Sequence, residues 1–190
     1  FKTHSGKYRY FVYDLKNDKL LQKSIVSHGS GSVMDSSNNL QFSNTEGSYQ
    51  SSLGKYVIRE KYIGKFGKSY RLDGLDKSNN NARERAIVIH ALDCVPDVES
   101  SQLTCLSLGC PMLSPKALEA TSNYIDKSAK PIILYLNTLT PFAFAATSSS
   151  RTAKIARPYV ERIKFCTKII IKIKTSVITK NAGPSKKVKF

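Results

Sequence analysis

Acidic residues are scarce in this chain, and tryptophan is absent. Its 190 residues include 14 Asp and Glu against 30 Lys and Arg, a formal net charge of +16. The excess is concentrated after residue 137, where twelve basic residues and one acid, twelve minus one, give a net of +11. A segment of this charge either binds an anionic polymer or is simply a solvated basic tail. Because it has few aromatic residues and no recognised binding motif, we expect no nucleic-acid partner.

Long apolar runs are also missing. No stretch approaches the roughly 20 apolar residues that a membrane-spanning helix needs, so the sequence predicts no transmembrane segment. The chain begins with Phe1 and shows no basic, apolar leader, so a secretion signal is expected to be absent from this chain or already removed. The length suits one core. We therefore expect a catalytic domain over residues 1–137, followed by a basic linker and C-terminal extension over residues 138–190.

Cysteines are few and irregularly spaced. The four are Cys94, Cys105, Cys110 and Cys166, too few for a disulfide-stapled scaffold. One pair could bond in an oxidising compartment, and Cys94 with Cys105 is the best-placed candidate. A structural zinc module is an alternative, with His90 joining Cys94, Cys105 and Cys110 as ligands. Against it, no C-x-x-C pair is present, and zinc ligands are commonly paired at such short spacing.

The pattern of apolar residues is mainly that of β-structure. Alternation over residues 8–26 predicts a hairpin with its turn at residues 16–18. Further strands are predicted at residues 56–58, 86–90 and 132–136, with loops at residues 27–52 and 76–81 and a turn within residues 61–68. Ser114-Pro115 starts a helix that is expected to reach about Lys130. Alternating apolar and basic residues from Arg162 to Val177 predict a strand long enough for a hairpin.

Two residues could carry nucleophilic chemistry. His90 closes an apolar strand, and a strand end presents an imidazole rigidly enough for a general base. Cys110 follows in Ser107-Leu108-Gly109-Cys110-Pro111. Thiolate is the reactive form of cysteine and needs a partner that takes its proton. Successive N–H groups at Gly109 and Cys110 could stabilise an oxyanion. On spacing alone, a buried structural cysteine and a strand-end histidine bonded to backbone are the more common explanation of these residues.

Several stretches occur together in the order typical of one family. They are His28-Gly29, Phe42-Ser43-Asn44, Gly47-Ser48, Ser51-Ser52-Leu53-Gly54-Lys55-Tyr56, Arg71-Leu72-Asp73-Gly74-Leu75, Arg85-Ala86-Ile87-Val88-Ile89-His90 and Ser107-Leu108-Gly109-Cys110-Pro111. Over about residues 8 to 136 the chain resembles the murein L,D-transpeptidase catalytic domain family, a YkuD-like group. The most specific parts are the histidine strand followed by Ser-x-Gly-Cys and the Ser-Ser-Leu-Gly segment.

The resemblance implies a mainly β fold, a β-sandwich of mixed sheets with one or two short helices. It implies Cys110 as nucleophile, His90 as base, Gly109 and Cys110 as backbone donors, and Ser107 as support for the loop. The thiolate would attack an L,D peptide bond of a peptidoglycan stem peptide and form a thioester, which an amine or water would resolve. Thiolate, imidazole and oxyanion donors suffice for acyl transfer, so no metal or organic cofactor is expected. The expected location is the periplasm or cell envelope.

The chain departs from the family pattern at two positions beside these motifs. Ala91 stands where a glycine commonly follows the histidine, and Leu106 stands where an arginine commonly precedes the serine. Arg71 or Arg83 could replace that cation. Substrate binding is also predicted for Asn44 and for His28, whose glycine and serine neighbours suit a substrate loop. For His28, a loop histidine bonded to backbone is the favoured interpretation.

The same departures leave a second function open. A catalytically inactive envelope protein that binds anionic wall polymer through the basic tail would also fit the sequence.

Overall fold

The computed structural model describes residues 4–32, 40–138 and 169–173, the last of these as backbone only. This part of the chain is mostly β, with one short helix, as predicted. In chain order the elements are β1 Tyr10–Asp14, β2 Lys19–Ser24, β3 Gly54–Gly64, β4 Gly67–Gly74, β5 Val88–Ala91, β6 Met112–Leu113, α1 Pro115–Asp126, β7 Ile133–Leu136 and β8 Ile169–Ile173.

The strands are hydrogen bonded in the order β2-β1-β8-β7-β3-β4-β5-β6. The sheet is mixed, because β8 runs parallel to β1 and β6 runs parallel to β5, while the other pairs are antiparallel. Beyond β2 the chain returns to the opposite end of this order, where Ser27 bridges to Met112 and Gly29 bridges to Ser107. The sheet therefore curls, and its two ends meet beside residues 107–112.

Alternation along the strands builds the core. Inward-facing residues such as Tyr10 and Val12 of β1, Tyr56 of β3 and Leu72 of β4 are fully buried, as the period of two in a strand requires. The helix covers this core through Leu118 and its neighbours. The strand β5 and the segment before β6 therefore pack against this core, and they hold the candidate site.

The helix begins where its capping signal predicts and ends earlier than expected. Ser114 is the N-cap, and its hydroxyl accepts a hydrogen bond from Ala117 N at 3.1 Å. Pro115 occupies the first turn, where its missing N–H costs nothing. The helix ends at Asp126 rather than near Lys130, because Lys127 is already the C-cap and turns the chain toward β7.

The hairpin of β3 and β4 is longer than predicted. The turn expected over residues 61–68 is reduced to residues 65 and 66, because β3 continues to Gly64 and pairs there with Gly67. Gly67 has φ +70, a conformation that a tight turn requires and that glycine adopts without strain. The longer hairpin carries Phe66 at its tip.

Part of the predicted tail strand belongs to the sheet. The backbone of β8 lies between β1 and β7, so five residues of the predicted extension pair with strands of the predicted catalytic domain. The remainder of the alternating segment, with its expected hairpin, lies outside the described residues. Within the described ranges, no helix is long and apolar enough to cross a bilayer.

Candidate active site

His90 lies near the end of β5 and is held beneath an aromatic ring. Its side chain is 3% exposed, and the ring of Phe66 stacks on the imidazole with 4.6 Å between centroids and 26° between planes. Burial lowers the pKa of His90, and a backbone hydrogen bond with Ala91 only partly opposes this. The imidazole is therefore neutral at neutral pH, the form in which it can accept a proton.

One nitrogen of this imidazole has no protein partner. His90 Nδ1 is buried and finds no hydrogen-bond partner among the described residues. Buried polar atoms without partners are rare and are often found at functional sites. A base whose ring nitrogen is unsatisfied retains a lone pair or a proton for an incoming group.

Cys110 follows a tight turn that is held by its own side chains. Ser107 Oγ accepts a hydrogen bond from Gly109 N at 3.2 Å and donates one to Cys110 O at 2.6 Å. Gly109 has φ +120, which a residue with a side chain rarely adopts. The Gly109 N–H, expected from the sequence as an oxyanion donor, is directed to Ser107 in this state of the protein.

The sulfur of Cys110 contacts the backbone of the strand that carries His90. It accepts a hydrogen bond from Val88 N at 3.5 Å and donates one to Ala86 O at 3.9 Å. Because β5 and β6 are parallel with His90 opposite Met112, Cys110 lies two residues earlier, beside Val88. The structure thus brings both predicted residues to one strand pair, with the thiol bonded to backbone rather than to the imidazole.

The backbone under the sulfur is strained at one point. Ala86 has φ +53, in the left-handed region that disfavours residues with a Cβ. Strained residues of this kind cluster at functional sites, where the surrounding structure enforces them. Here the strain directs the Ala86 carbonyl toward the thiol.

The resting thiol is protonated. Partial burial raises the pKa of Cys110, while the Val88 N–H and the positive charge of Arg85 lower it by less. With both groups neutral, Cys110 and His90 hold no preformed thiolate–imidazolium pair.

A buried serine joins the two loops behind the nucleophile. Ser51 Oγ accepts a hydrogen bond from Gly29 N at 3.0 Å and donates one to Gly109 O at 3.1 Å. A Cβ placed on Gly29 would lie 2.1 Å from Tyr49 O and 2.8 Å from the Cα of Gly109. Only glycine fits there. Gly29 and Ser51 therefore hold the nucleophile turn in its position through their contacts with Gly109. Sequence reasoning did not assign either residue a role, although both lie in the stretches that carry the family resemblance.

Arg85 is a third residue that sequence reasoning did not assign to the site. Its Nη2 donates to Gln50 O at 2.7 Å and its Nη1 donates to Ser43 O at 2.9 Å. Ser52 Oγ lies 3.4 Å from Nη1 and bonds the hydroxyl of Tyr56 at 2.6 Å. A half-buried cation therefore lies under the turn that presents Cys110.

His28 supports the same turn from the other side. Its carbonyl accepts a hydrogen bond from Ser107 N at 2.9 Å, and its Nδ1 lies 2.7 Å from Arg9 Nη2. Burial and the neighbouring Arg9 charge lower the pKa of His28 to about 3. The imidazole is buried and neutral, so the observed contacts are those of a residue that holds loops together.

The other three residues predicted to bind substrate have partners elsewhere. Arg83 is paired with Glu60 at 2.8 Å and with Asp73, and Arg71 lies 3.4 Å from Glu60. Asn44 donates to Asn80 Oδ1 at 2.6 Å and to Lys77 O at 3.3 Å. The hydrogen bonds and ion pairs of these residues do not reach Cys110 or His90.

A disulfide joins Cys94 and Cys105. Both belong to the loop between β5 and the nucleophile turn, and Val95 of this loop packs in a small cluster with Ile25 and Met112. The alternative of a zinc module is wrong, because the disulfide consumes two of its four proposed ligands. His90 and Cys110 remain, fewer than a structural zinc site requires.

A cleft of about 250 Å³ adjoins the histidine side of the site. Its opening lies between the tip of the β3–β4 hairpin and the start of α1, and an ion pair of 2.6 Å between Lys68 and Glu119 crosses it. The residues that line it are Phe66, Lys68, Ala91, Pro115, Leu118 and Glu119. Because Phe66 also covers His90, the cleft and the imidazole share one wall.

The chain is thus a mostly β scaffold in which the thiol of Cys110 contacts the strand that carries His90. The L,D-transpeptidase catalytic domain family (YkuD_2) matches residues 1–135. The chain therefore belongs to this family, as the sequence motifs indicated.

Other comparisons give distant likenesses. One is to a variant of the helical cell-shape-determining protein Pgp2 from Campylobacter jejuni, with 12% identity and TM-score 0.37 over 66% of this chain and 46% of that one. Another is to an L,D-transpeptidase from Mycobacterium tuberculosis, with 14% identity and TM-score 0.29 over 60% and 52%. This chain thus spans about half the length of each of these two proteins. No curated protein matches the chain.

Proposed function

We propose that this protein catalyses cysteine-dependent acyl transfer on peptidoglycan stem peptides, as an L,D-transpeptidase or L,D-carboxypeptidase. The observation that carries the proposal is the contact of Cys110 Sγ with the strand that carries His90, at 3.5 Å from Val88 N. Family membership over residues 1–135 supports the same chemistry. A domain that acts on the cell wall works in the cell envelope, where a disulfide can also form.

In the proposed reaction, His90 accepts the Cys110 proton as the sulfur attacks the carbonyl of an L,D peptide bond. The C–N bond breaks, the imidazolium returns the proton to the leaving D-alanine amine, and a thioester remains on Cys110. An amine of a second stem, or water, then attacks the thioester carbonyl while His90 takes a proton from this nucleophile. The C–S bond breaks, and the imidazolium returns the proton to the sulfur, which regenerates the thiol. Cys110 N–H and a released Gly109 N–H are the candidate donors to the oxyanion.

The absence of a thiol–imidazole hydrogen bond is compatible with this role. Catalytic hydrogen bonds are often long in ligand-free proteins and shorten when substrate binds. Substrate that displaces Ser107 from Gly109 N would free that donor at the same time. We include Ser107 as a support of the turn, since its hydroxyl bridges Gly109 N and Cys110 O.

Intact-mass spectrometry tests the proposal. The protein is incubated with a tetrapeptide stem or a carbapenem, and a covalent adduct is expected on the wild type and on Cys166→Ser but not on Cys110→Ala. An adduct on Cys110→Ala would place the nucleophile elsewhere. A folded wild type that forms no adduct with either reagent would favour the inactive polymer-binding alternative, for which the substitutions at Ala91 and Leu106 are the sequence argument.

A further inference from the structure

Arg85 differs from the neighbouring arginines in the charge of its partners. Arg59, Arg71 and Arg83 each pair with a carboxylate on the β3–β4 surface. Arg85 is half-buried, and its hydrogen bonds go to backbone carbonyls and serine hydroxyls. Within the described residues no acidic side chain pairs with it, so its positive charge is not neutralised by the protein.

The guanidinium lies directly against the nucleophile turn. A Cβ placed on Gly109 would be 3.5 Å from Arg85 Nη2 and 3.1 Å from Gln50 O, which accepts from that nitrogen. From the other direction, Arg85 is followed in the chain by Ala86, whose carbonyl accepts from Cys110 Sγ. Arg85 thus lies beside Gly109 in space, and its neighbour in the chain bonds the sulfur of Cys110.

We infer that Arg85 is a positioning residue that stabilises the Cys110 thiolate as it forms, supplying the cation that the sequence lacks at Leu106. This inference rests on the proposed function and names the electrostatic partner of its nucleophile. A developing thiolate in a half-buried site needs a nearby positive charge, and a guanidinium bonded only to neutral groups supplies one. The two backbone carbonyls at Ser43 and Gln50 hold the planar guanidinium in place, as its forked geometry allows.

The electrostatics of the two groups agree with this arrangement. The charge of Arg85 lowers the pKa of Cys110 against the larger effect of burial. Burial lowers the pKa of Arg85, and its attraction to Tyr56 and Cys110 opposes that shift. Each group therefore favours the charged form of the other.

The test is the pH dependence of Cys110 alkylation by iodoacetamide in a Cys166→Ser background, with the site of labelling read by mass spectrometry. In Arg85→Gln the midpoint is expected to move to higher pH, and the rate near pH 7.5 is expected to fall by about tenfold. Arg85→Lys retains the charge, so its midpoint is expected to stay near that of the wild type. Arg59→Gln, which removes an exposed arginine paired with Asp73, is the matched control and should shift nothing.

A folded Arg85→Gln with an unchanged midpoint would overturn the inference, as would an equal shift in Arg59→Gln. If Arg85→Gln does not fold, the alkylation midpoint of Arg85→Lys tests the inference instead, because this variant loses the forked contact but keeps the charge. A large rise of the alkylation midpoint in Arg85→Lys would show that Arg85 acts through its forked contacts rather than its charge, and would overturn the inference. A higher KM in Arg85→Gln with an unmoved alkylation profile would assign Arg85 to substrate binding and also overturn the inference.

The alkylation requires no stem peptide, so the two proposals fail separately. If the alkylation midpoint depends on Arg85 but no acyl adduct forms, the proposed function is wrong and the inference about Arg85 still holds. If an adduct forms on Cys110 but the alkylation midpoint does not depend on Arg85, the proposed function holds and the inference is wrong.

Discussion

At the scale of single residues, the environment of His90 decides its protonation. The imidazole is nearly inaccessible, and Phe66 at the hairpin tip forms its cover. Burial disfavours the imidazolium, so the folded protein binds this proton less readily than the unfolded chain does. Stability from this group is accordingly lost as pH falls below the ordinary histidine value of 6.5 toward the lowered pKa of His90.

Phe66→Ala is expected to raise the pKa of His90, because water would reach the imidazole and stabilise its charged form. Because only neutral imidazole accepts the thiol proton, the acid limb of the acylation rate should move to higher pH with it. NMR titration of the three histidines measures the shift directly. Ile63→Ala, on the same hairpin and 77% exposed, is the control and should leave the titration of His90 unchanged. An unchanged pKa of His90 in Phe66→Ala would contradict this account.

At the scale of elements, the loop between β5 and the nucleophile turn links the two catalytic candidates. It is closed by the disulfide of Cys94 and Cys105 and anchored by Val95 in a buried cluster. A second tie joins Thr104 N to Ser5 Oγ at 3.1 Å. The geometry of Cys110 therefore depends on contacts made several residues before it.

Replacing both Cys94 and Cys105 by serine is expected to lower the free energy of unfolding by about 2–3 kcal/mol, since the open loop gains entropy in the unfolded chain. The rate of Cys110 acylation should fall as well, because the turn loses a support. Urea unfolding and adduct formation measure the two effects. Cys166→Ser is the control and should match the wild type in both. A double variant as stable as the wild type would show that the disulfide contributes nothing to the fold.

At the scale of the whole molecule, positive charge is distributed unevenly. The segment after residue 137 has a net charge of +11, twelve basic residues minus one acid, out of +16 for the chain. A charge of this density attracts anionic polymers over distances comparable to the Debye length, about 8–10 Å at physiological salt. We propose that this segment brings the catalytic domain to anionic polymer of the envelope.

Two variants with equal net charge test that proposal. One changes Lys180, Lys186, Lys187 and Lys189 to Gln, and the other changes the exposed Lys16, Lys19, Lys116 and Lys130 to Gln. Binding to a teichoic-acid-like polyphosphate is expected to weaken severalfold more in the first variant, and its dependence on salt should become shallower. Sedimentation with the polymer at several salt concentrations measures both. Equal losses in the two variants would mean that total charge, rather than the tail, governs binding.

Much of the local structure could be predicted because its signals are local. The cap at Ser114, the proline at the first helical position and the alternation of β1 depend on neighbouring residues only. The extent of the β3–β4 hairpin was missed, since the glycines at its end indicated a broad turn while cross-strand pairing extended both strands. The division of the chain at residues 137 and 138 stays a prediction.

The site was predictable only in part. The spacing of His90 and Cys110, with the neighbouring motifs, pointed to the pair that the fold brings together. The contributions of Phe66, Ser51 and Arg85 were missed, because these residues are remote in sequence from the turn or the imidazole that they contact. Cysteine spacing could suggest a disulfide or a metal site, but the choice depended on which sulfur atoms the fold places together.

The amino-acid sequence by itself determined the family and the mainly β character, because these depend on residue order and short-range pattern. The roles of Cys110 and His90 as thiol and imidazole of the site stay predictions. Tertiary structure decided the protonation of both groups, the cover over His90 and the cation beneath Cys110. Those properties arise from burial and from charges contributed by distant segments, and both are set only when the chain folds.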